Sequence, residues 1–326
     1  MKSSNRDLSI DFVRGVAIII VVIGHAAQRV GGAYLLESII QSFQMPLFML
    51  ISGYCLGFRF PINNVVIFLR KRIVNLVFPY ISWIVLRLIL LVACERETFK
   101  LITVFEEITC SGFWFLRILF YINVVMAIIS IVYDSMMQRL YENRKTIVAV
   151  CLIMCGLIGL YFASRLPGCY NLWKHYCFFV LGLILHQIQE KYAMPKAIGF
   201  EMILLTIFIV SLGLMHCLKD TLVGELADII AALSGSTGVF LLSKHIAMEK
   251  SVPFIESIGK RTLGIYAVHW ILFVSVRIAN FQEKLLFLNN SYAISVVLGI
   301  LWIVFSYCIT ALLEKNCVLR RLFLGK

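Results

Sequence analysis

Ten apolar stretches dominate the sequence, near residues 10–29, 38–58, 73–93, 113–133, 146–163, 173–189, 198–216, 223–243, 262–280 and 292–313. Each has the length, about 17–25 residues, that crosses a bilayer as a helix. Lipid offers no partner to a backbone N–H or C=O, so runs of this length cross as helices, whose hydrogen bonds are internal. The sequence therefore predicts an all-α, polytopic integral membrane bundle of about ten transmembrane helices. A chain of 326 residues with 61% hydrophobic and 15% charged residues, and a mean hydropathy of +0.91, is not an ordinary soluble globule. Connections are short and no repeat or low-complexity tract intervenes, so residues 1–326 read as a single transmembrane domain.

Cationic residues orient the bundle. Of 30 Lys and Arg, 19 fall on the side of the two termini and 7 on the other, while Arg14, Arg87, Arg117 and Arg277 lie within apolar stretches. Because Lys and Arg concentrate in cytoplasmic loops, both termini are expected in the cytoplasm. The net charge of +12 has the same origin and calls for no nucleic-acid partner. Lys2 and Arg6, then Val16 to Ile23, then His25-Ala-Ala-Gln28 superficially resemble a signal peptide. Asp11 and Arg14 interrupt that pattern, and cleavage after Ala27 would leave an odd number of spans. Among ten cysteines, Cys151, Cys155, Cys177 and Cys308 sit inside apolar runs and read as small buried hydrophobes. Cys94 and Cys110, flanking one external loop, are the pair to test for a bridge.

Chemistry enters the first span through Asp11, Arg14 and His25. An ionisable group at the centre of a span costs at least about 2.5–3.5 kcal/mol unless it is paired or faces a cavity. Arg14 and His25 return to nearly the same helix face about 16 Å apart, and Asp11 precedes Arg14 at the i,i+3 spacing of pairing side chains. One stripe thus presents an acid, a guanidinium and an imidazole. The plainer alternative leaves Asp11 and Arg14 at the membrane surface with His25 capping the far end. His269 lies inside the ninth stretch, where it either hydrogen-bonds a neighbouring helix or faces a cavity. His175, beside Lys174, reads as interfacial, and His186, His216 and His245, near loop ends, as solvated. No pair of His or Cys stands at metal-ligand spacing, and there is no P-loop or Gly-rich dinucleotide fingerprint, so no metal is expected.

Four pieces, IDFVRGVAIIIVVIGH from Ile10, FQMPLFMLISGY from Phe43, FWFLRILF from Phe113 and GIYAVHW from Gly264, occur in an order and spacing that resemble bacterial membrane acyltransferase family 3. That family includes sugar and polysaccharide O-acetylases. RKRIVNLVFPYISW, from Arg70 to Trp83, is a weaker fifth match. The resemblance implies transfer of an acyl group, usually acetyl, from cytoplasmic acetyl-CoA to a hydroxyl of a glycan or glycolipid, by a multi-pass protein of the bacterial inner membrane. It leaves room for a separate extracytoplasmic transferase as partner. Arg14 and His25 look like the family's paired arginine and histidine. One departure stands out: relatives often carry a histidine before the Met-Pro of the second span, where this chain has Gln44, which hydrogen-bonds but cannot shuttle a proton.

Under that resemblance His25 is the catalytic candidate, either as the base for a sugar hydroxyl or as a covalent acyl carrier. Arg14 would bind anionic donor groups or developing oxyanion charge, with Asp11 orienting it. Arg59, Arg70, Lys71 and Arg72 form a cationic cluster suited to the phosphates of acetyl-CoA, although positive-inside topology accounts for them equally well. Gln44, Tyr54, Trp114, Arg117 and His269 are the candidates for acceptor binding, Trp114 and Arg117 being also explicable as membrane-interface residues. A transporter of a glycolipid or acylated product, with the same residues lining its path, is the rival reading.

Overall fold

The computed structural model describes residues 7–57, 61–95, 101–110, 112–137, 144–192, 198–278 and 291–326, apart from the side chains of 94, 95, 101, 110, 137 and 275–278. Arg59 and the side chains of Cys94 and Cys110 therefore lie outside the described residues. Every regular element among those described is a helix: α1 (Leu8–Val30), α2 (Tyr34–Gly57), α3 (Val65–Arg72), α4 (Phe78–Glu95), α5 (Leu101–Cys110), α6 (Trp114–Met137), α7 (Lys145–Ala163), α8 (Leu172–Lys191), α9 (Gly199–Cys217), α10 (Leu222–Glu249), α11 (Pro253–Lys260), α12 (Thr262–Ile278), α13 (Ser291–Lys315) and α14 (Cys317–Leu324). A π-helical turn, Ile73–Val77, joins α3 to α4.

Within the described residues the ten apolar stretches fall on helices, and eight segments are long and apolar enough to cross a membrane: α1, α2, α3 with α4, α6, α7, α9, α10 and α13. The two others are α8, whose Lys174, His186, Gln189 and Glu190 dilute its apolar character, and α12, a shorter helix. α7 shows most directly what surrounds the protein. It is strongly apolar, yet Ile147, Val150, Met154 and Ile158 all point outward, an arrangement natural in lipid and unfavourable in water. Cys151, Cys155, Cys177 and Cys308 are exposed rather than buried. An apolar run in lipid has no obligatory inward face, so the buried reading of these cysteines is corrected.

The chain folds as two compact units, Met1–Ser52 with Gln187–Ala311 and Gly53–His186 with Leu312–Lys326. In the first, α1 opens with Asp7 accepting a hydrogen bond from the Ser9 N–H (2.9 Å) and closes at Gly31 and Gly32, both at positive φ. α11 lies directly on α1. Gly15 faces the Ile255 carbonyl and Gly259 faces the Asp11 carbonyl so closely that neither position has room for a Cβ. Ordinary overpacking costs about 1–3 kcal/mol, and a backbone carbonyl cannot rotate aside. Gly259→Ala is therefore expected to lower the thermal unfolding midpoint of the detergent-solubilised protein, and an unchanged midpoint would mean that this contact does not fix α11 to α1. α9 and α10 pack through Gly235 and Gly238, which meet Phe208 and Leu204. In the second unit, Gly53 packs on the Phe179 carbonyl, and Trp83 Nε1 donates to the Phe323 carbonyl (2.9 Å), seating α14 against α4.

Candidate active site

Within the first unit, α1 and α12 bring two imidazoles together. His25 Nδ1 stands 2.9 Å from His269 Nε2, with the rings nearly parallel and their centroids 5.2 Å apart. His269 Nδ1 in turn lies 3.0 Å from the carbonyl oxygen of Ile265, one turn back along α12. A carbonyl only accepts, so Nδ1 of His269 carries its proton and Nε2 of the neutral ring holds a lone pair. Nδ1 of His25 must then be the donor to that lone pair. This fixes the tautomer of His25 as well, and leaves its Nε2 as a free base. His269 is fully buried, whereas His25 is only half-buried.

The surroundings of His25 are aromatic. Trp270 meets it edge-on at 5.6 Å and Phe273 at 5.8 Å, and the Arg29 guanidinium, one turn beyond His25, sits 5.0 Å over the Phe273 ring. Gln44 is buried with its Oε1 lacking a hydrogen-bond partner, 3.1 Å from where a Cβ on Gly24 would stand, next to His25 in the chain. At the other end of the α1 stripe, Arg14 lies 3.8 Å from a fully buried Asp11. The first unit thus gathers Asp11 with Arg14, and His25 with His269, on one helix-centred line. Arg29, Trp270 and Phe273 were missed by sequence reasoning. The i,i+4 step from His25 to Arg29 and the Trp inside GIYAVHW were the available signals.

The second unit holds Tyr54, Arg70, Lys71, Arg72, Trp114 and Arg117. Trp114 and Arg117 share a cleft of about 320 Å³ with Tyr170, Asn171 and His175, the His175 ring packing on Trp114 at 5.0 Å. His175 is therefore part of a cleft wall. Arg117 is anchored within it: its guanidinium donates to the carbonyls of Ile108 and Thr109, which close α5, and to the Tyr80 hydroxyl (2.9 Å). Beside this cleft, burial raises the Cys169 thiol above its ordinary range against the opposing pull of Arg117, which keeps it a thiol rather than a nucleophilic thiolate. Lys71 and Arg72 line another cleft of about 320 Å³ with Asn63, Asn64 and Asn75, Arg72 lying 4.7 Å over Phe68. Arg70 is exposed and outside that lining. Cations and amide donors at one opening fit the phosphates of a coenzyme A donor. Tyr54 is buried against His186, with ring centroids 4.9 Å apart.

Two further histidines are not solvated as their positions near loop ends implied. His186 is buried among the side chains of its own unit. His245 is buried between Glu201 (3.6 Å) and Glu249 (3.3 Å), because α9 and α10 pack tightly there and carboxylates from both helices satisfy the ring. Among the described residues, no group of His, Cys, Asp or Glu is arranged to hold a metal ion.

Fold and centre together define a multi-pass membrane protein with a hydrogen-bonded pair of imidazoles held between α1 and α12. Residues 7–313 match the family model of an acyltransferase domain, and the chain belongs to acyltransferase family 3. Locally it is 36% identical over 88 residues to the nodulation protein NolL of Sinorhizobium fredii, and 35% identical over 88 residues to NolL of Mesorhizobium japonicum. Each match covers 25% of this chain and 24% of the relative, so the chain spans about a quarter of the length of the curated relatives it matches. No solved structure matches it.

Proposed function

We propose that this protein is an integral membrane O-acyltransferase of the bacterial inner membrane. It moves an acyl group, acetyl by preference, from cytoplasmic acyl-CoA to a hydroxyl of a cell-surface glycan or lipid-linked sugar. The observation that carries this reading is the hydrogen-bonded chain from the Ile265 carbonyl through His269 to His25, which leaves a defined lone pair on His25 Nε2.

A sugar hydroxyl is a weak nucleophile, and a positioned imidazole is suited to activating it near neutral pH. His25 Nε2 takes the hydroxyl proton as the sugar oxygen bonds to the acyl carbon. When the carbon–sulfur bond breaks, the same nitrogen returns that proton to the departing sulfur. Thioester and alcohol become ester and thiol with no net change in protons. Between the two steps the imidazolium charge is shared with His269, which accepts the Nδ1 hydrogen bond. The second histidine of the reaction is thus supplied by α12 rather than by position 44, where Gln44 holds substrate by hydrogen bonds. Arg14, oriented by Asp11, lies about 16 Å along α1 from His25. That separation suits a guanidinium that holds the anionic part of a long donor, not one that touches the reacting carbon.

In the second unit, Arg70, Lys71 and Arg72 of α3, together with Arg59, are assigned to the phosphates of acyl-CoA, and Trp114, Arg117 and Tyr54 to the acceptor. Purified protein supplied with labelled acetyl-CoA and bacterial membrane glycans should transfer the label, and a chain that binds glycan but never consumes acetyl-CoA would support the transporter instead. Lys71→Ala with Arg72→Ala is expected to raise KM for acetyl-CoA about tenfold while kcat changes little, because phosphate contacts far from the thioester bind ground and transition states alike. An unchanged KM would remove this cleft from donor binding.

A further inference from the structure

A third cleft, of about 460 Å³, opens in the first unit where α2 begins, and no role is assigned to it above. Its lining comes from Tyr34, Glu37, Ser38, Gln41 and Ser42 of α2, Met215 of α9 and Asp228 of α10. The hydrogen bonds already made within the fold decide what this wall can offer a ligand. Ser42 Oγ–H is spent on the Ile39 carbonyl (2.8 Å). His216 Nδ1 lies 2.9 Å from the Leu212 carbonyl and so carries its proton, which makes Nε2 the acceptor from Ser38 Oγ–H at 3.3 Å. Gln41 Nε2 donates to Glu37 Oε1 (2.9 Å), leaving the Gln41 carbonyl oxygen and the second carboxylate oxygen of Glu37. Asp228 adds two more carboxylate oxygens. Both serines have given up their protons, so among the described side chains of this lining acceptors outnumber donors: Tyr34 O–H and one amide N–H of Gln41 remain to donate.

A wall of this kind accepts a ligand rich in O–H or N–H donors and repels a carboxylate or phosphate. Among the described residues no Lys or Arg lines it, unlike the clefts at Lys71 and Arg117. Tyr34, 74% exposed, offers a ring face at the rim on which a sugar can stack. On α2 the wall of this cleft is one turn from Gln44. Gln44 follows Gln41 by one helical turn, about 4.5 Å along α2, and its own unsatisfied oxygen lies beside Gly24 and hence next to His25 in the chain.

We propose that the Tyr34–Glu37–Ser38–Gln41–Asp228 cleft is a further docking site for acceptor saccharide, additional to Trp114, Arg117 and Tyr54, and that it selects a non-anionic saccharide, neutral or amino-bearing, over an acidic one. That the docked saccharide is the acceptor rests on the acyltransferase reading; that it docks here does not. Charged hydrogen bonds to the two carboxylates favour an ammonium-bearing sugar over a neutral one, and the neutral one over an anion.

The test uses the full chain in lipid nanodiscs with no acyl donor present, and calorimetric titration with tetramers of glucosamine, glucose and galacturonic acid. The glucosamine tetramer is expected to bind most tightly, the glucose tetramer more weakly and the galacturonate tetramer not at all. Glu37→Gln with Asp228→Asn, which keeps side-chain shape, should weaken glucosamine binding at least about tenfold and bring its affinity close to that of glucose. Tyr34→Ala should weaken both. The proposal is overturned if no tetramer binds the parent chain, if galacturonate binds as well as glucosamine, or if the double variant leaves the ranking unchanged. The convergence of two affinities, rather than loss of binding, is the decisive sign, since a misfolded variant cannot produce it. Acetyl-CoA turnover, measured separately on the parent chain, decides the acyltransferase reading whatever the titrations give.

Discussion

His25→Ala is expected to lower acetyl transfer by about a thousandfold or more, the range reached when a positioned general base is lost, while the variant still inserts into membranes at the parent level. The magnitude follows from the geometry. His25 Nε2 is the one nitrogen of the pair that is neither hydrogen-bonded to the partner ring nor to the backbone, so no other imidazole can take the hydroxyl proton. Transfer of label from acetyl-CoA to membrane glycans is the measurement, with membrane insertion quantified beside it. Transfer within tenfold of the parent would remove His25 from the chemistry. If the large loss is found, rapid denaturation at neutral pH of the protein with donor alone separates base from carrier: label retained on the parent but not on His25→Ala would show an acyl-imidazole at His25.

His269→Leu is expected to lower kcat about a hundredfold with KM for acetyl-CoA nearly unchanged, because the leucine leaves the Nδ1–H of His25 without its acceptor and frees the ring to adopt the other tautomer. His269 touches no reacting atom and is a positioning residue in this scheme. A structural role alone would make any buried replacement equally harmful, so His269→Gln provides the contrast. The glutamine oxygen can accept from His25 Nδ1, and kcat should recover by tenfold or more over the leucine variant. Equal activity of the two variants would reject the relay and return His269 to a packing role.

The helical class and eight helices long enough to span were legible because a bilayer leaves the backbone few choices, and apolar length is visible in sequence. Asp11 and Arg14 were legible for a similar reason: an i,i+3 pair is local, and a charge inside an apolar run stands out. The His25–His269 contact joins residues 244 apart in sequence, and no periodicity encodes which two helices meet. His245 was misjudged on the same grounds, since Glu201 reaches it from another helix. Cys151 and Cys177 failed for the opposite reason: in lipid, apolarity does not imply an interior. The acceptor-rich character of the Glu37 cleft was invisible because it depends on which protons Ser38 and Ser42 have already committed to neighbouring atoms, a property of geometry and not of residue type.

The hydrogen-bonded chain through His25 and His269 stops at the Ile265 carbonyl, and an amide oxygen is far too weak a base to take a proton onward. The pair is therefore a reservoir with one opening and not a wire. In the proposed reaction the proton that enters at His25 Nε2 leaves by the same atom, so turnover would not connect the aqueous phases on the two faces of the bilayer through this relay. A centre of this form can lie inside an energised membrane without discharging the proton gradient across it.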